Sequence, residues 1–236
     1  MAHSFSSPQV NHAEKVGRSI ASGFRRQFGE LARMQASFAT AQDTASDDHE
    51  HLKNALAHKL AAGSKPVFFQ NANASDDDYW LYDTPGWHNF AHGRTPAMIS
   101  FMYARQGKPF VGVVYSPLDD TIALVEKGNG AVGGNRMRVS DRKDISTAHV
   151  VISGNAKLLP KVAEQVEYAT YNRDVTHNIL QLAQGQLDGC IIENPSEIEA
   201  ALAKLFVQEA GGVIRENDTT LICANKNLGD ALLKLV

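Results

Sequence analysis

The chain has 236 residues, with 23 lysines and arginines against 26 aspartates and glutamates, a formal net charge of −3. That balance excludes a protein built to neutralise a polyanion, because covering many phosphates requires a basic surplus. At 43% hydrophobic and 21% charged residues, the composition is too apolar for disorder, and the length allows a core that needs no disulfide or metal staple.

The opening Met1-Ala2-His3-Ser4-Phe5 lacks the basic and apolar regions of a signal peptide. No apolar run approaches the ~20 residues that span a membrane, so the sequence predicts a cytoplasmic protein with neither nucleic-acid nor membrane partners. From Val10 to Phe28, apolar Val16, Ile20, Phe24 and Phe28 recur every four residues, which predicts a helix with Arg18, Arg25 and Arg26 on its solvated side. A second helix is predicted from Ser46, with Ser46 as N-cap, Asp47, Asp48 and Glu50 near the positive end of the dipole, Leu52, Leu56 and Leu60 buried, and Gly63 as the stop. His49 and His51 lie two apart and so point to different sides of that helix, which reads as a solvated face rather than a metal site.

After Gly63 the period shortens. Residues 66–69, 79–83, 96–105, 110–115 and 121–126 are strand-length runs separated by turn chemistry, and they predict an antiparallel meander. Asp76-Asp77-Asp78 reads as a solvated loop. Gly128-Asn129-Gly130-Ala131-Val132-Gly133 matches a dinucleotide fingerprint in letters. Residues 136–140 after it alternate like a strand rather than opening a helix, so the segment reads as a glycine-rich hairpin. From His149 strands and helices alternate: strands over 150–153, 187–192, 213–214 and 221–223, helices over 174–182, 197–210 and 228–235. That pattern implies a second sheet covered by helices. The predicted division is residues 1–145, helices and antiparallel sheet carrying Asp83, and residues 146–236, an α/β part, joined in one compact structure. Cys190 and Cys223 sit in apolar surroundings and read as buried free thiols.

The segment Trp80-Leu81-Tyr82-Asp83-Thr84-Pro85-Gly86-Trp87-His88-Asn89-Phe90-Ala91-His92-Gly93 carries the most chemistry. A strand ends in an acid and a Pro-Gly turn follows, an arrangement that suits a hard cation and equally an ordinary turn capped by Asp83. At these residues the sequence resembles the inositol monophosphatase family of Mg²⁺-dependent, lithium-sensitive phosphomonoesterases, whose motif is W-x-x-D-P-x-D-G-T-x-N-F-x-H-G. The resemblance continues through Gly112-Val113-Val114-Tyr115-Ser116-Pro117, Gly128-Asn129-Gly130-Ala131, Ala183-Gln184-Gly185-Gln186-Leu187-Asp188 and Glu209-Ala210-Gly211-Gly212. Thr40-Ala41-Gln42-Asp43 resembles the T-x-x-D that precedes the family's second helix. In order, these segments cover about residues 38 to 224.

The resemblance implies an α+β fold, a layered α-β-α-β-α sandwich, and a homodimer. It also implies carboxylates holding two or more Mg²⁺ ions that activate a water for in-line attack on phosphate. The chain departs from that pattern where the family keeps its acids. The G-E-E stretch reads Phe68-Phe69-Gln70-Asn71-Ala72-Asn73; the second Asp of the loop has no counterpart; the family's water-positioning Thr aligns with Trp87. The late W-D-x-A-A-G becomes Ile198-Glu199-Ala200-Ala201-Leu202-Ala203, and G-S-A-A becomes Arg173-Asp174-Val175-Thr176.

What the resemblance leaves is Asp43 and Asp83 as catalytic carboxylates, and Asp83 with Glu199 as at most one weak Mg²⁺ site. His88, Asn89, Arg94 and Arg173 remain to bind a phosphorylated small molecule, since arginine clamps phosphate without a metal. The expected protein is a family member without efficient phosphatase activity. An active Mg²⁺-dependent phosphomonoesterase on an inositol or sugar phosphate stands as one alternative, and a metal-independent binding or regulatory protein as another.

Overall fold

The computed structural model describes residues 7–34, 38–63, 65–72 and 77–236; the segment read for a signal peptide, Asn73 and Asp76 lie outside the described residues. Two compact units divide the chain, Met1–Leu124 and Val125–Val236.

The first unit opens with two long helices, α1 (Pro8–Met34) and α2 (Phe38–Ala61). Helix α1 buries Val10, Ala13, Val16, Gly17, Ala21, Phe24 and Leu31, the three-and-four spacing of one face. Gly17 lets that face approach the sheet: a Cβ there would meet the Tyr115 ring at 3.2 Å. Arg18 and Arg25 are not simply solvated. Arg18 pairs with Glu14 and Asp120, each at 2.9 Å, and Arg25 Nη1 donates to the Pro117 carbonyl at 2.9 Å. Helix α2 starts eight residues before the expected Ser46, which therefore sits inside the helix. The reason is local, since Ala39, Ala41, Gln42 and Ala45 are good helix formers and nothing between them stops propagation.

Five strands follow with one short helix among them: β1 (Val67–Phe69), β2 (Tyr79–Asp83), α3 (Trp87–Ala91), β3 (Ile99–Arg105), β4 (Lys108–Ser116) and β5 (Thr121–Glu126). They lie side by side in chain order. The pairs β2–β3 and β3–β4 are antiparallel, as expected of the meander, whereas β1 runs parallel to β2 with Phe69 opposite Tyr82. That parallel register sets residues 70 and 83 beside each other at the strand ends. The core joins Phe24, Leu56, Trp80, Phe90 and Phe101, all at most 2% exposed. Asp78 is held rather than loose: it accepts hydrogen bonds from the Tyr103 hydroxyl at 2.7 Å and the Gln106 amide at 2.9 Å.

The second unit contains the hairpin β6 (Gly130–Gly133) and β7 (Asn135–Arg136), then β8 (His149–Ser153), α4 (Leu159–Ala163), β9 (Tyr168–Tyr171), α5 (Val175–Ala183), β10 (Gly189–Glu193), α6 (Glu197–Glu209), β11 (Val213–Asn217), β12 (Thr220–Ala224) and α7 (Gly229–Leu233). Its sheet runs β11-β12-β10-β8-β9. The central pairs β8–β10 and β8–β9 are parallel, and β12 is antiparallel to both its neighbours. The whole is the expected α+β architecture, two sheets with their helices.

Cys190 and Cys223 face each other across β10 and β12 as buried free thiols. Burial raises both, Cys223 to about 12, so neither ionises near neutrality. The glycine-rich segment is the expected hairpin. Glu209, at the end of α6, takes the Gly128 and Gly130 amides at 2.7 and 2.9 Å. The N–H groups a phosphate would use are thus already held by a carboxylate of the chain itself.

The buried Asp188, just before β10, is the hub of this unit. Its carboxylate accepts from the Ser140 hydroxyl, from Arg142 Nε at 2.8 Å and from the His149 amide at 2.8 Å. Asn225 extends the network, donating to Ser140 Oγ at 2.9 Å and to the Arg142 carbonyl at 3.0 Å. The segment that leads into β8 is thereby tied to the last turns of the unit.

Candidate active site: the Asp83 loop

Asp83 ends β2, and it is 5% exposed. A buried carboxylate needs donors, and two come from its immediate surroundings. The Thr84 amide gives Oδ1 a hydrogen bond at 2.7 Å, and Gln70 Nε2 gives it another at 2.9 Å. Gln70 reaches Asp83 because β1 runs parallel to β2. At the end of β1 the chain turns out through Gln70 itself, whose φ of 61° is a left-handed conformation that a residue with a Cβ adopts at some cost.

The loop beyond Asp83 is closed by aromatic rings. Gly86, at φ 75°, turns the chain into α3, which begins at Trp87. The Trp87 indole stacks on Phe90 at 4.3 Å on one side and on the His49 imidazole at 4.5 Å on the other, with interplanar angles of 19° and 11°. His49 Nε2 lies 2.7 Å from Thr84 Oγ1, a hydrogen bond whose direction follows the imidazole tautomer. His49 is therefore part of the loop's packing and not a solvated face of α2. The sequence carried a signal for this: His49, Leu52, Leu56 and Leu60 repeat at three and four residues, so His49 continues the buried stripe. Lys53, one turn further along α2, lies 4.9 Å from the Phe69 ring and pairs with Glu50.

Burial, then the nearby Lys53 charge, push the His49 imidazolium down to about 4. The unfolded chain takes up this proton near 6.5 and the folded chain only near 4, so between those values the unfolded state binds more protons. Stability from this group is complete above the higher value and falls as pH drops through the window. The expected result is a His49 imidazole titrating near 4 by NMR and a stability that declines from pH 6.5 to 4. A His49→Gln variant should flatten that decline, and an imidazole titrating at its ordinary value would contradict the packing described.

The other residues singled out in the sequence take different places. Asp43 lies exposed on α2. It is six residues from His49, and at 100° per residue the two project roughly 120° apart around the helix. On α3, His88 is exposed, 5.8 Å from the His92 ring, and Arg94 is exposed in the turn that follows. Asn89 points inward, its amide donating to the Pro96 carbonyl at 3.0 Å, so it holds the loop closed.

In the second unit Arg173 is exposed in the connection from β9 to α5. Glu199 occupies the third position of α6 and forms a capping box: its carboxylate accepts from the Ser196 amide at 2.8 Å and the Ser196 hydroxyl at 2.9 Å. That arrangement satisfies helix-end donors and gives Glu199 a structural task. Among the described residues, no cluster of three or more His, Cys, Asp and Glu side chains converges as a metal site would.

Comparison with known proteins places this geometry in a lineage. A model of the inositol monophosphatase family matches residues 7–229. An inositol-1-monophosphatase of Mesorhizobium japonicum is 27% identical over 96% of this chain and 94% of its own length. Among solved structures, the extragenic suppressor protein SuhB of Bartonella henselae superposes with a TM-score of 0.84 at 20% identity, covering 97% of this chain and 99% of that one. The Thermotoga maritima IMPase gives 0.80 at 17% identity, covering 97% and 96%.

Proposed function

This chain belongs to the inositol monophosphatase family, and from that premise we propose that it has given up efficient Mg²⁺-dependent hydrolysis of phosphate monoesters. The observation that carries the reading is the Gln70–Asp83 hydrogen bond. A hard cation binds through oxygen lone pairs. Here Oδ1 of Asp83 receives two N–H donors, and Gln70 presents its amide N–H to the carboxylate. Those groups hold Oδ1 through protein N–H donors, where a Mg²⁺ site would gather further oxygen ligands.

Electrostatics supports the same conclusion. Two Mg²⁺ ions about 3.5–4 Å apart require several converging negative charges. Among the described residues, the Asp83 loop gathers an amide, a hydroxyl, an indole and an imidazole that stays neutral at pH 7.

Turnover tests the proposal. With millimolar Mg²⁺, hydrolysis of inositol 1-phosphate and of 4-nitrophenyl phosphate is expected to remain at the uncatalysed background, and Asp83→Ala is expected to leave it there. Hydrolysis at ordinary enzyme rates, abolished by Asp83→Ala, would sink the proposal in favour of an active phosphomonoesterase that uses Asp83 in an altered geometry.

A further inference from the structure

A groove of the first unit lies away from the Asp83 loop, between α1 and the C-terminal end of α2, with a volume of about 520 Å³. One stripe of α1 lines it through His12, Lys15, Val16 and Ser19, and α2 contributes His58 and Lys59. The volume is that of a small-molecule site. The polar lining consists of two ammonium groups, two imidazoles and a hydroxyl, with no carboxylate, in a chain that carries a net negative charge overall.

One neighbouring acid and one carbonyl at the end of α2 are already engaged. Glu14, beside Lys15 in sequence, is paired with Arg18 at 2.9 Å. His12 Nε2 lies 3.2 Å from the Leu60 carbonyl, and because a carbonyl only accepts, that nitrogen carries the proton. One of the α2 carbonyls that would repel an anion is thus capped by the groove's own imidazole. Among the described residues, neither Lys15 nor Lys59 takes part in an ion pair. Complementing the helix dipole accounts for His58 and Lys59 in the last turn of α2. It does not account for Lys15, which comes from the other helix and faces the same space.

We propose that this groove binds a small organic monophosphate, with the phosphate between Lys15 and Lys59 and the carbon part over Val16 and Ala62. Lysines hold phosphate as point charges, and the His58 imidazole lining the same groove supplies a directed hydrogen bond, the His12 and Ser19 donors being engaged by the Leu60 and Val16 carbonyls. An apolar floor rewards a ligand that carries carbon rather than the bare ion. The assignment stands independently of whether the Asp83 loop turns over substrate, since none of that loop's residues lines the groove.

The test is calorimetric titration of the full chain, without Mg²⁺ and at low salt, with inorganic phosphate and with 4-nitrophenyl phosphate. Both are expected to bind, the aryl ester more tightly, and added salt should weaken both. Lys15→Ala with Lys59→Ala should reduce the affinity about tenfold or more, as should the paired Lys→Gln changes. Both lysines are exposed, and circular dichroism checks that the variants fold. An Arg94→Ala, Arg173→Ala variant should bind like the parent chain.

Absence of binding, affinity unchanged by the lysine substitutions, or loss of binding in the arginine variant would each overturn the assignment. Binding of a polyanion such as heparin without either phosphate would do the same. An aryl ester no tighter than inorganic phosphate would overturn the organic part of the ligand.

Discussion

Replacing Asp188 by alanine is expected to lower the free energy of unfolding by about 3–5 kcal/mol, among the largest effects of any single substitution in the chain. The carboxylate is 3% exposed and accepts from a hydroxyl, a guanidinium and a backbone amide. Its removal strands all three at once. Arg142 recovers some hydration, because its side chain is 39% exposed, whereas the His149 amide begins β8 and sits against the strand it pairs with. Ser140 also loses its acceptor while it still receives a hydrogen bond from Asn225. Asp188→Asn keeps the shape and one acceptor oxygen and should cost less, about 1–2 kcal/mol. Urea unfolding of the two variants measures the difference. A loss under about 1 kcal/mol for the alanine variant would mean that the network is not a support of the second unit.

Gly86→Ala is the second large effect, and it acts on the Asp83 loop directly. Gly86 combines a φ of 75°, where a Cβ is unfavourable, with a close approach to another part of the backbone. A Cβ at this position would fall far inside van der Waals contact with the Pro96 carbonyl oxygen, and 3.2 Å from the Ala97 Cα. The obstruction is main chain, which cannot rotate away as a side chain can. Relief requires α3 to separate from the segment that enters β3, and that breaks the Asn89–Pro96 and Met98–Pro85 hydrogen bonds.

A cost of roughly 3 kcal/mol or more follows from the conformation and the clash together. The Trp87–His49 stack should loosen with it, so the variant's tryptophan fluorescence is expected to change and its His49 to titrate closer to the ordinary imidazole value. A variant as stable as the parent, with an unchanged spectrum, would show that the loop tolerates a different path.

Much of the fold is legible in the sequence because it rests on local patterns. The four-residue recurrence of Val16, Ile20, Phe24 and Phe28 marks α1, and the turn chemistry around Gly107 and Pro117 marks the strands on either side. Asp83 is recognisable as the acid at a strand end, and the alternation after Gly133 separates a hairpin from a nucleotide cradle. Helix α2 begins before Ser46, a good cap by type, because the alanines ahead of it continue the helix.

The site was harder to read because its contacts are non-local. Gln70 and Asp83 are thirteen residues apart and meet only through the parallel pairing of β1 with β2, a register that the aromatic run 67–69 does not announce. In the sequence Gln70 stands only as a missing acid; in the structure it holds the Asp83 carboxylate. His49 reads as a surface residue by its spacing from His51, whereas its spacing from Leu52 and Leu56 is the informative one. Glu199 kept a carboxylate where the family has its late acid, yet that carboxylate caps a helix.

The proposed loss of Mg²⁺ chemistry rests on the Asp83 carboxylate being engaged by protein N–H groups. The most direct measurement is a Mg²⁺ titration of the isotope-labelled chain, following the Gln70 side-chain amide and the Thr84 backbone amide by NMR, with calorimetry on the same sample. Both resonances are expected to stay in place through millimolar Mg²⁺, with no heat of binding. Movement of the Gln70 and Thr84 signals together, saturating with the uptake of one or more Mg²⁺ ions, would contradict it.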